Sequence, residues 1–281
     1  MRMKAWIFHF HNEKEYTNML RRTCLKLIAA DILGLYSGVG MGTPNQTHRH
    51  GVPILLYHRL GPTVADSMTV RTPVFEAHLD LLLARGYSVI SLDHIVKALQ
   101  QGLPLPAKSV ALCADDGHRS VHDIMLPLVK ERGIHVTAFI YPSAISNASY
   151  AMTWQQLRAL LQSGCFDIQS HTFWHPNFNH EKKKLSETAY QDFVRWQLLK
   201  SKQRLESGLN ISISMLAWPY GIYNDELVKI AQETGYTAAF TLVQEPVRSG
   251  DKLLTLPRFL MADDGGTRQL ERILQASSVN I

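Results

Sequence analysis

Residues 74–92, VFEAHLDLLLARGYSVISL, contain a helix signal followed directly by a strand signal. Apolar residues in the first part recur at three- and four-residue spacing, which predicts an amphipathic helix. The helix signal ends at Arg85-Gly86, a basic last turn with a C-cap glycine. Residues 88–92 then form a short apolar run that predicts a strand. A helix that leads at once into a strand is typical of an α/β fold.

The same alternation of strand and helix signals recurs about seven times along the chain. This repetition predicts a parallel sheet covered by helices, and the number of units favours a barrel over an open sheet. No Pro- or Gly-rich linker divides residues 51–274, which favours a single domain. The strand signals cover residues 53–58, 88–92, 109–114, 136–141, 166–170, 212–218, 237–242 and 253–260.

Polar residues directly follow five of these apolar strand signals. In an α/β barrel, catalytic residues lie where the strands end at their C-terminal side. We therefore expect these residues to share one rim of the barrel. They are His58-Arg59, Asp115-Asp116-Gly117, residues 171–175, Pro219-Tyr220-Gly221 and Pro257-Arg258.

Two histidines at this predicted rim have a spacing that suits metal binding. His171 and His175 are four residues apart, which places two imidazoles on one side of a helical turn. With one carboxylate from a neighbouring strand, two nitrogens and one oxygen would surround a divalent ion. An isolated pair with this spacing is more often structural, but the carboxylates at the same rim favour a metal site.

Three motifs occur in a fixed order: CADDG at residues 113–117, SHTFWH at 170–175 and AWPYG at 217–221. They resemble the motifs of the polysaccharide deacetylase family, the NodB-like carbohydrate esterase family 4. The LLYHRL strand and the helix of residues 75–87 resemble its exopolysaccharide deacetylase branch. The resemblance implies an α/β fold of the NodB-homology type, a distorted (β/α)7 barrel, over residues 51–281. It also implies metal-dependent removal of N-acetyl groups from amino sugars of a surface or secreted polysaccharide.

The resemblance assigns roles to individual residues. It implies that Asp115 is the general base and that the backbone N–H of Tyr220 helps to hold the oxyanion. It also implies that one divalent metal ion is bound by Asp116, His171 and His175. Zinc is the expected ion, and the ligand set also suits iron, cobalt or nickel.

Two features depart from the family pattern. Ala217 stands where the family has an arginine that orients the base, and the C-terminal leucine-x-x-histidine motif has no counterpart before Ile281. His58 ends the first strand on the same rim, so it is the candidate general acid; alternatively, it is a structural histidine bonded to a neighbouring loop. Arg258 either supplies the missing orienting charge or forms a surface ion pair.

Two other functions remain open. The missing arginine and histidine favour a catalytically impaired carbohydrate-binding relative, whereas the intact Asp115 argues against it. A metal-dependent amidohydrolase acting on small amides is disfavoured by the order of the three motifs. Phe173, Trp174 and Tyr220 either line a groove that stacks on sugars or belong to the core.

The letters ADDG occur a second time, at residues 262–265. This copy runs into a helix signal, GTRQLERIL, so it predicts a turn and a helix start. We expect the side chain of Asp264 or Thr267 to cap that helix.

Charge and cysteine content limit the possible partners. The chain of 281 residues carries 29 basic and 24 acidic residues, a net charge of +5, and only residues 182–184 form a dense basic run. Nucleic acid is therefore not predicted as a partner. The three cysteines are too few and too scattered for a disulfide framework. The sequence does not indicate an oligomeric state.

Residues 1–50 predict an N-terminal export signal and linker. Arg21-Arg22 precede a mostly apolar stretch and then a polar segment, which is typical of a signal and resembles the twin-arginine type. Asp31 interrupts the apolar stretch and no A-x-A cleavage site follows, so an amphipathic helix is the alternative. No other run of about 18 apolar residues occurs, so no membrane-spanning helix is predicted in the mature chain. We expect the protein to be exported and to be periplasmic or at the cell surface.

Overall fold

The computed structural model describes residues 51–278, so the predicted export signal lies outside the described residues. The strands in this part are β1 Ile54–Tyr57, β2 Arg59–Gly61, β3 Thr69–Arg71, β4 Ser88–Val89, β5 Ser109–Ala114, β6 Val136–Ile140, β7 Phe166–Ser170, β8 Met215–Ala217, β9 Ala238–Phe240 and β10 Phe259–Leu260. The α-helices are α1 Thr72–Ala84, α2 Leu92–Gln100, α3 Leu126–Glu131, α4 Trp154–Gln162, α5 Phe178–Lys182, α6 Glu187–Leu209, α7 Asp225–Glu233 and α8 Gly266–Ser277. Within residues 51–278, none of the helices is both long enough and apolar enough to cross a bilayer.

The main sheet is parallel and curls into a barrel. Its strands follow the order β10-β1-β5-β6-β7-β8-β9, and β4 pairs with β5 beside this path. A parallel bridge between Phe240 and Leu256 connects β9 to the segment just before β10. The two ends of the sheet therefore meet through one short segment. The predicted distorted (β/α)7 barrel is confirmed.

Local sequence signals explain most element boundaries. All six residues of β5 are buried, as expected for a parallel strand covered on both faces. Two helix starts are capped by side chains: Thr153 forms a capping box with Gln156, and the side chain of Asn224 accepts from the backbone N–H of Leu227. The predicted C-cap glycine Gly86 has a positive φ, and Gly133, Gly164 and Gly235 follow their helices in the same way.

The last predicted strand is shorter than its apolar pattern indicates. Residues 253–260 form a 3₁₀ turn, Leu253–Thr255, followed by the two-residue strand β10. Pro257 interrupts the run because it has no N–H to donate to a neighbouring strand. The carbonyl of Leu254 instead accepts a hydrogen bond from the indole N–H of Trp218.

The second ADDG copy forms a turn before α8, as predicted, but its predicted cap is wrong. Gly265 is the N-cap of α8, and no side chain accepts a hydrogen bond there. Neither Asp264 nor Thr267 therefore caps the helix. The neighbouring Asp263 holds this turn in place, because its carboxylate accepts from the backbone N–H and the Nε–H of Arg71. Glycine is also accepted at helix N-caps, although it offers no side-chain acceptor.

Candidate metal and catalytic site

Asp115 and Asp116 follow β5 at a sharp backbone turn. Asp116 and Gly117 both have a φ of 73°, in the left-handed region. A Cβ at Gly117 would lie 3.1 Å from Cδ1 of Ile140, so glycine suits both the torsion and the space. The turn directs the two carboxylates to different partners: Asp115 to Arg258 and Asp116 to the two histidines.

His171 and His175 lie on an irregular loop after β7, so the prediction that they share a helical turn is wrong. Thr172 and His175 have φ values of 63° and 64°, which fold the loop back on itself. The hydroxyl oxygen of Thr172 accepts a hydrogen bond from the backbone N–H of His175, at 3.1 Å. The two imidazole centroids are 4.6 Å apart as a result. The spacing correctly predicted that the two imidazoles lie together, but a folded loop and not a helical turn brings them there.

Asp116, His171 and His175 form a compact triad of potential metal ligands. One ligand atom from each of the three lies within 4.8 Å of the others. Oδ1 of Asp116 is 3.6 Å from Nε2 of His171 and 3.7 Å from Nε2 of His175. This oxygen is buried and has no hydrogen-bond partner among the described residues. A buried, unpaired oxygen facing two imidazole nitrogens fits a divalent cation, which all three atoms can bind.

The environment of His171 fixes its protonation for ligation. Its Nδ1 lies 2.8 Å from the backbone carbonyl oxygen of Ala217, and a carbonyl can only accept, so Nδ1 carries the proton. The lone pair is then on Nε2, which faces Asp116. Burial lowers the pKa of His171 to about 3 and also lowers the pKa of His175, so both rings are neutral at physiological pH. Burial raises the pKa of Asp116, a cost that a bound cation would offset.

Arg258 makes a buried, bidentate ion pair with Asp115. Its two terminal nitrogens donate to Oδ1 and Oδ2 at 2.8 and 2.9 Å, and both side chains are almost fully buried. Nε–H of Arg258 donates to the backbone carbonyl of Thr241, which fixes the plane of the guanidinium. Arg258 therefore supplies the orienting charge, and the alternative of a surface ion pair is wrong.

This ion pair keeps Asp115 ionised. Burial, the largest single effect, raises the pKa of the Asp115 carboxyl. The charge and hydrogen bonds of Arg258, together with the nearby His171 and His58, more than offset it and hold the pKa at about 2. Oδ2 of Asp115 also lies 3.7 Å from Nε2 of His171. An anionic oxygen is thus held at the edge of the ligand triad at every physiological pH.

His58 lies at the end of β1, close to both aspartates. Its Nδ1 is buried and has no hydrogen-bond partner among residues 51–278. The alternative, a structural histidine bonded to a neighbouring loop, is therefore not supported at Nδ1. Burial lowers the pKa of His58, while the negative charges of Asp115 and Asp116 act to raise it. The imidazole is therefore a polar group at the rim whose Nδ1 the described part of the fold does not use.

Tyr220 is at the rim as predicted, on the turn that follows β8. Its φ of 57° lies within the short 3₁₀ turn Pro219–Gly221. Its ring packs against His175 with centroids 4.5 Å apart, yet 57% of the residue is exposed. Tyr220 is therefore a surface residue beside a triad member and not part of the core.

A profile of the polysaccharide deacetylase family matches residues 102–239, which include all three triad residues. Residues 102–239 therefore form a polysaccharide deacetylase domain. A poly-beta-1,6-N-acetyl-D-glucosamine N-deacetylase of Escherichia coli K12 is 24% identical over an alignment 263 residues long, which covers 78% of this chain and 38% of that protein. The enzyme of the same name from Staphylococcus epidermidis is 25% identical over 209 residues, which cover 73% of this chain and 72% of that protein. This deacetylase domain thus spans well under half of the Escherichia coli relative.

Solved structures of deacetylases show the same fold. The Streptococcus pyogenes deacetylase PplD, in complex with acetate, superposes with a TM-score of 0.71 at 24% identity, covering 80% of this chain and 99% of that one. IcaB from Ammonifex degensii gives a TM-score of 0.72 at 22% identity and covers 82% and 98% of the two chains.

The departure at Ala217 is compensated within this deacetylase domain. Ala217 is fully buried in β8, and its carbonyl oxygen accepts a hydrogen bond from His171 Nδ1–H. The guanidinium that contacts Asp115 comes instead from Arg258, directly before β10. The orienting charge is thus present, but another strand provides it.

Two residues near the triad were not predicted. Tyr141 follows β6, its ring centroid lies 5.5 Å from that of His175, and its hydroxyl is 2.6 Å from that of Tyr150. Its position after a buried strand was the available signal. Gln197 lies inside α6, fully buried, and its side-chain oxygen accepts the backbone N–H groups of Phe173 and Trp174 at 3.2 Å. Nothing in the sequence around Gln197 indicates this contact.

Proposed function

We propose that this protein is a metal-dependent hydrolase that removes N-acetyl groups from amino sugars of a surface or secreted polysaccharide. One observation carries the proposal: a partly buried two-histidine, one-carboxylate triad lies beside a second carboxylate that Arg258 keeps ionised. The names of the curated relatives support the substrate, poly-β-1,6-N-acetylglucosamine or a related polymer. Buried charge held in this way is more typical of catalysis than of a binding module.

Asp116, His171 and His175 would hold one divalent ion, with zinc as our choice and iron, cobalt or nickel as alternatives for the same ligands. Such an ion supplies positive charge that polarises the acetyl carbonyl and acidifies water. The Nδ1–H bond of His171 to Ala217 holds that ring with Nε2 toward the site. Since none of the three ligand atoms makes a hydrogen bond to another part of residues 51–278, the triad is preorganised.

Asp115 would take the proton of the attacking water at Oδ2. Arg258 uses one lone pair of this oxygen, and a second remains for the proton. Oδ2 is the oxygen that lies near His171, so the base is directed at the triad. The backbone N–H of Tyr220 would donate to the oxyanion of the tetrahedral centre, and His58 would protonate the departing amine.

The pair His175→Ala and His122→Ala tests the proposal. The parent protein is expected to contain about one equivalent of divalent metal and to release acetate from oligomeric N-acetylglucosamine. His175→Ala should lose most of the metal and with it the acetate release. His122 is a matched control, since it pairs with Asp123 away from the triad, and its removal should change neither quantity. A parent protein that releases no acetate with zinc, cobalt or nickel added would contradict the proposed activity.

His58→Ala should lower activity toward amides much more than activity toward activated esters. An amine leaving group needs a proton, whereas the phenolate of an aryl acetate does not, so only the amide reaction loses the acid's contribution of about 10²–10⁴-fold. The measurement is the ratio of kcat/KM for an N-acetylated oligosaccharide to kcat/KM for an aryl acetate. An unchanged ratio would show that His58 is structural.

We also propose that the protein is exported and acts in the periplasm or at the cell surface. Support comes from Arg21-Arg22 before an apolar stretch and from the polymeric substrates named for the relatives. Changing both arginines to lysine should leave the precursor in the cytoplasm, as measured by immunoblot of cell fractions. Normal export of that variant would refute the twin-arginine mechanism while leaving ordinary secretion open.

The carbohydrate-binding alternative loses its main argument in this structure. It depended on the absence of the orienting arginine and of the C-terminal histidine. Arg258 fills the first role with two hydrogen bonds to Asp115, and we propose His58 for the second.

A further inference from the structure

Two tryptophans form an exposed aromatic patch beside the candidate site. Trp174 and Trp196 are 48% and 44% exposed, and their ring centroids lie 5.6 Å apart. Phe193 supports Trp174 at 5.6 Å, and Phe173 meets Trp196 edge-on at 5.1 Å. We call these four residues the tryptophan face. Large aromatic rings left this exposed in a cluster indicate a binding surface.

The tryptophan face is joined directly to the ligand triad. Trp174 immediately precedes His175, so the exposed ring and the ligand lie on the same short loop. Gln197 of α6 holds that loop through the backbone N–H groups of Phe173 and Trp174. Trp196 is the neighbour of Gln197, and one helix turn therefore supplies both the clamp and half of the face.

A third exposed ring, on the turn that follows β8, borders His175. Tyr220 packs on His175 and is also more than half exposed. Exposed rings thus lie next to the triad in space, at Tyr220, and next to it along the chain, at Trp174. We infer that an elongated ligand with its acetyl group at the triad reaches these rings. The sequence-based expectation for Phe173, Trp174 and Tyr220 is refined: Phe173 is the packed support, whereas Trp196 joins the surface.

The chemistry of the rings favours a saccharide. A pyranose presents C–H bonds on its faces and hydroxyls at its edges, and the negative face of an indole attracts polarised C–H groups while leaving the edges to water. An N-acetylated glucosamine polymer has no net charge, which matches recognition by rings without a charged partner. We propose that the tryptophan face is a subsite for a pyranose ring of the polymer next to the sugar that loses its acetyl group. This rests on the proposed function.

Chain-length dependence of the kinetics tests the subsite. Trp174→Ala and Trp196→Ala should each lower kcat/KM for a pentasaccharide by about ten-fold, as for an aromatic binding anchor. Neither should change kcat/KM for N-acetylglucosamine itself by more than about two-fold. Trp196→Phe should restore part of the loss, because a smaller ring still stacks. Tyr87→Ala, which removes a partly exposed ring outside the site, is the matched control and should behave like the parent.

The outcomes separate this proposal from the general function. If the parent protein deacetylates no saccharide of any length, the proposed function fails. If the parent is active and the tryptophan variants lose equally on short and long substrates, the subsite is wrong. Binding to phosphatidylglycerol vesicles is measured in parallel. Loss of vesicle binding in the variants, with unchanged pentasaccharide kinetics, would assign the face to a membrane and overturn the saccharide subsite.

Discussion

Asp115→Asn is expected to lower turnover of an N-acetylated oligosaccharide by about 10²–10⁴-fold or more while the protein keeps its metal. Asparagine cannot take a proton from water, and this range is what a general base contributes. The three triad residues are unchanged, so metal content should remain near that of the parent. The measurement combines kcat with metal analysis on the same preparation.

The Asp115 variant needs a folding control, because Arg258 is left with a neutral partner in a buried place. Rates are therefore compared at a temperature well below the unfolding midpoint of the variant. Asp123→Asn removes a partly exposed carboxylate outside the triad and should keep full activity. Parent-like turnover of Asp115→Asn would show that another group is the base.

Arg258→Gln is expected to lower the free energy of unfolding by about 3–5 kcal/mol, because it leaves a buried carboxylate without its charge partner. The matched control is Arg85→Gln. Arg85 also pairs with a carboxylate, that of Glu271, but its side chain is 59% exposed, so about 0–1 kcal/mol is expected. Urea unfolding gives both values. Equal effects of the two substitutions would show that the buried pair contributes no more than a surface pair.

Arg258→Gln should also change how the stability and activity of the protein respond to acid. The pKa of Asp115 in the folded protein is about 2, below its value of 3.8 when exposed. The pair therefore contributes its full stability above pH 4, and this contribution is lost as the pH falls towards 2. Without Arg258, burial raises the pKa of Asp115, so the acid side of the activity profile should move to higher pH.

The repeated helix and strand signals were sufficient to predict the barrel. Buried strands such as β5 and capped helices such as α4 and α7 are specified by residues close to one another in the chain. The rim was predictable for the same reason, since polar residues directly follow apolar strands. Patterns of this kind require no knowledge of distant contacts.

Features that depend on distant contacts could not be predicted. The burial of Arg258 follows from closure of the sheet between β9 and β1, and the sequence near residue 258 contains no sign of it. The clamp by Gln197 requires α6 to pack on the loop after β7. The positive φ of Thr172 and His175 depends on the same packing, so a helical turn was the wrong geometry for this pair.

Residues 256–260, which close the barrel between β9 and β1, also determine when the site becomes complete during synthesis. All three triad residues lie in the chain well before Arg258, and β1 must wait for β10 before that edge of the sheet is paired. A ribosome-bound chain can therefore contain the whole triad while Asp115 still lacks the guanidinium of Arg258. The Asp115 carboxylate acquires its charge partner only after residue 258 has been made and the last strand has docked. Translation thus supplies the triad first and the Asp115–Arg258 pair last.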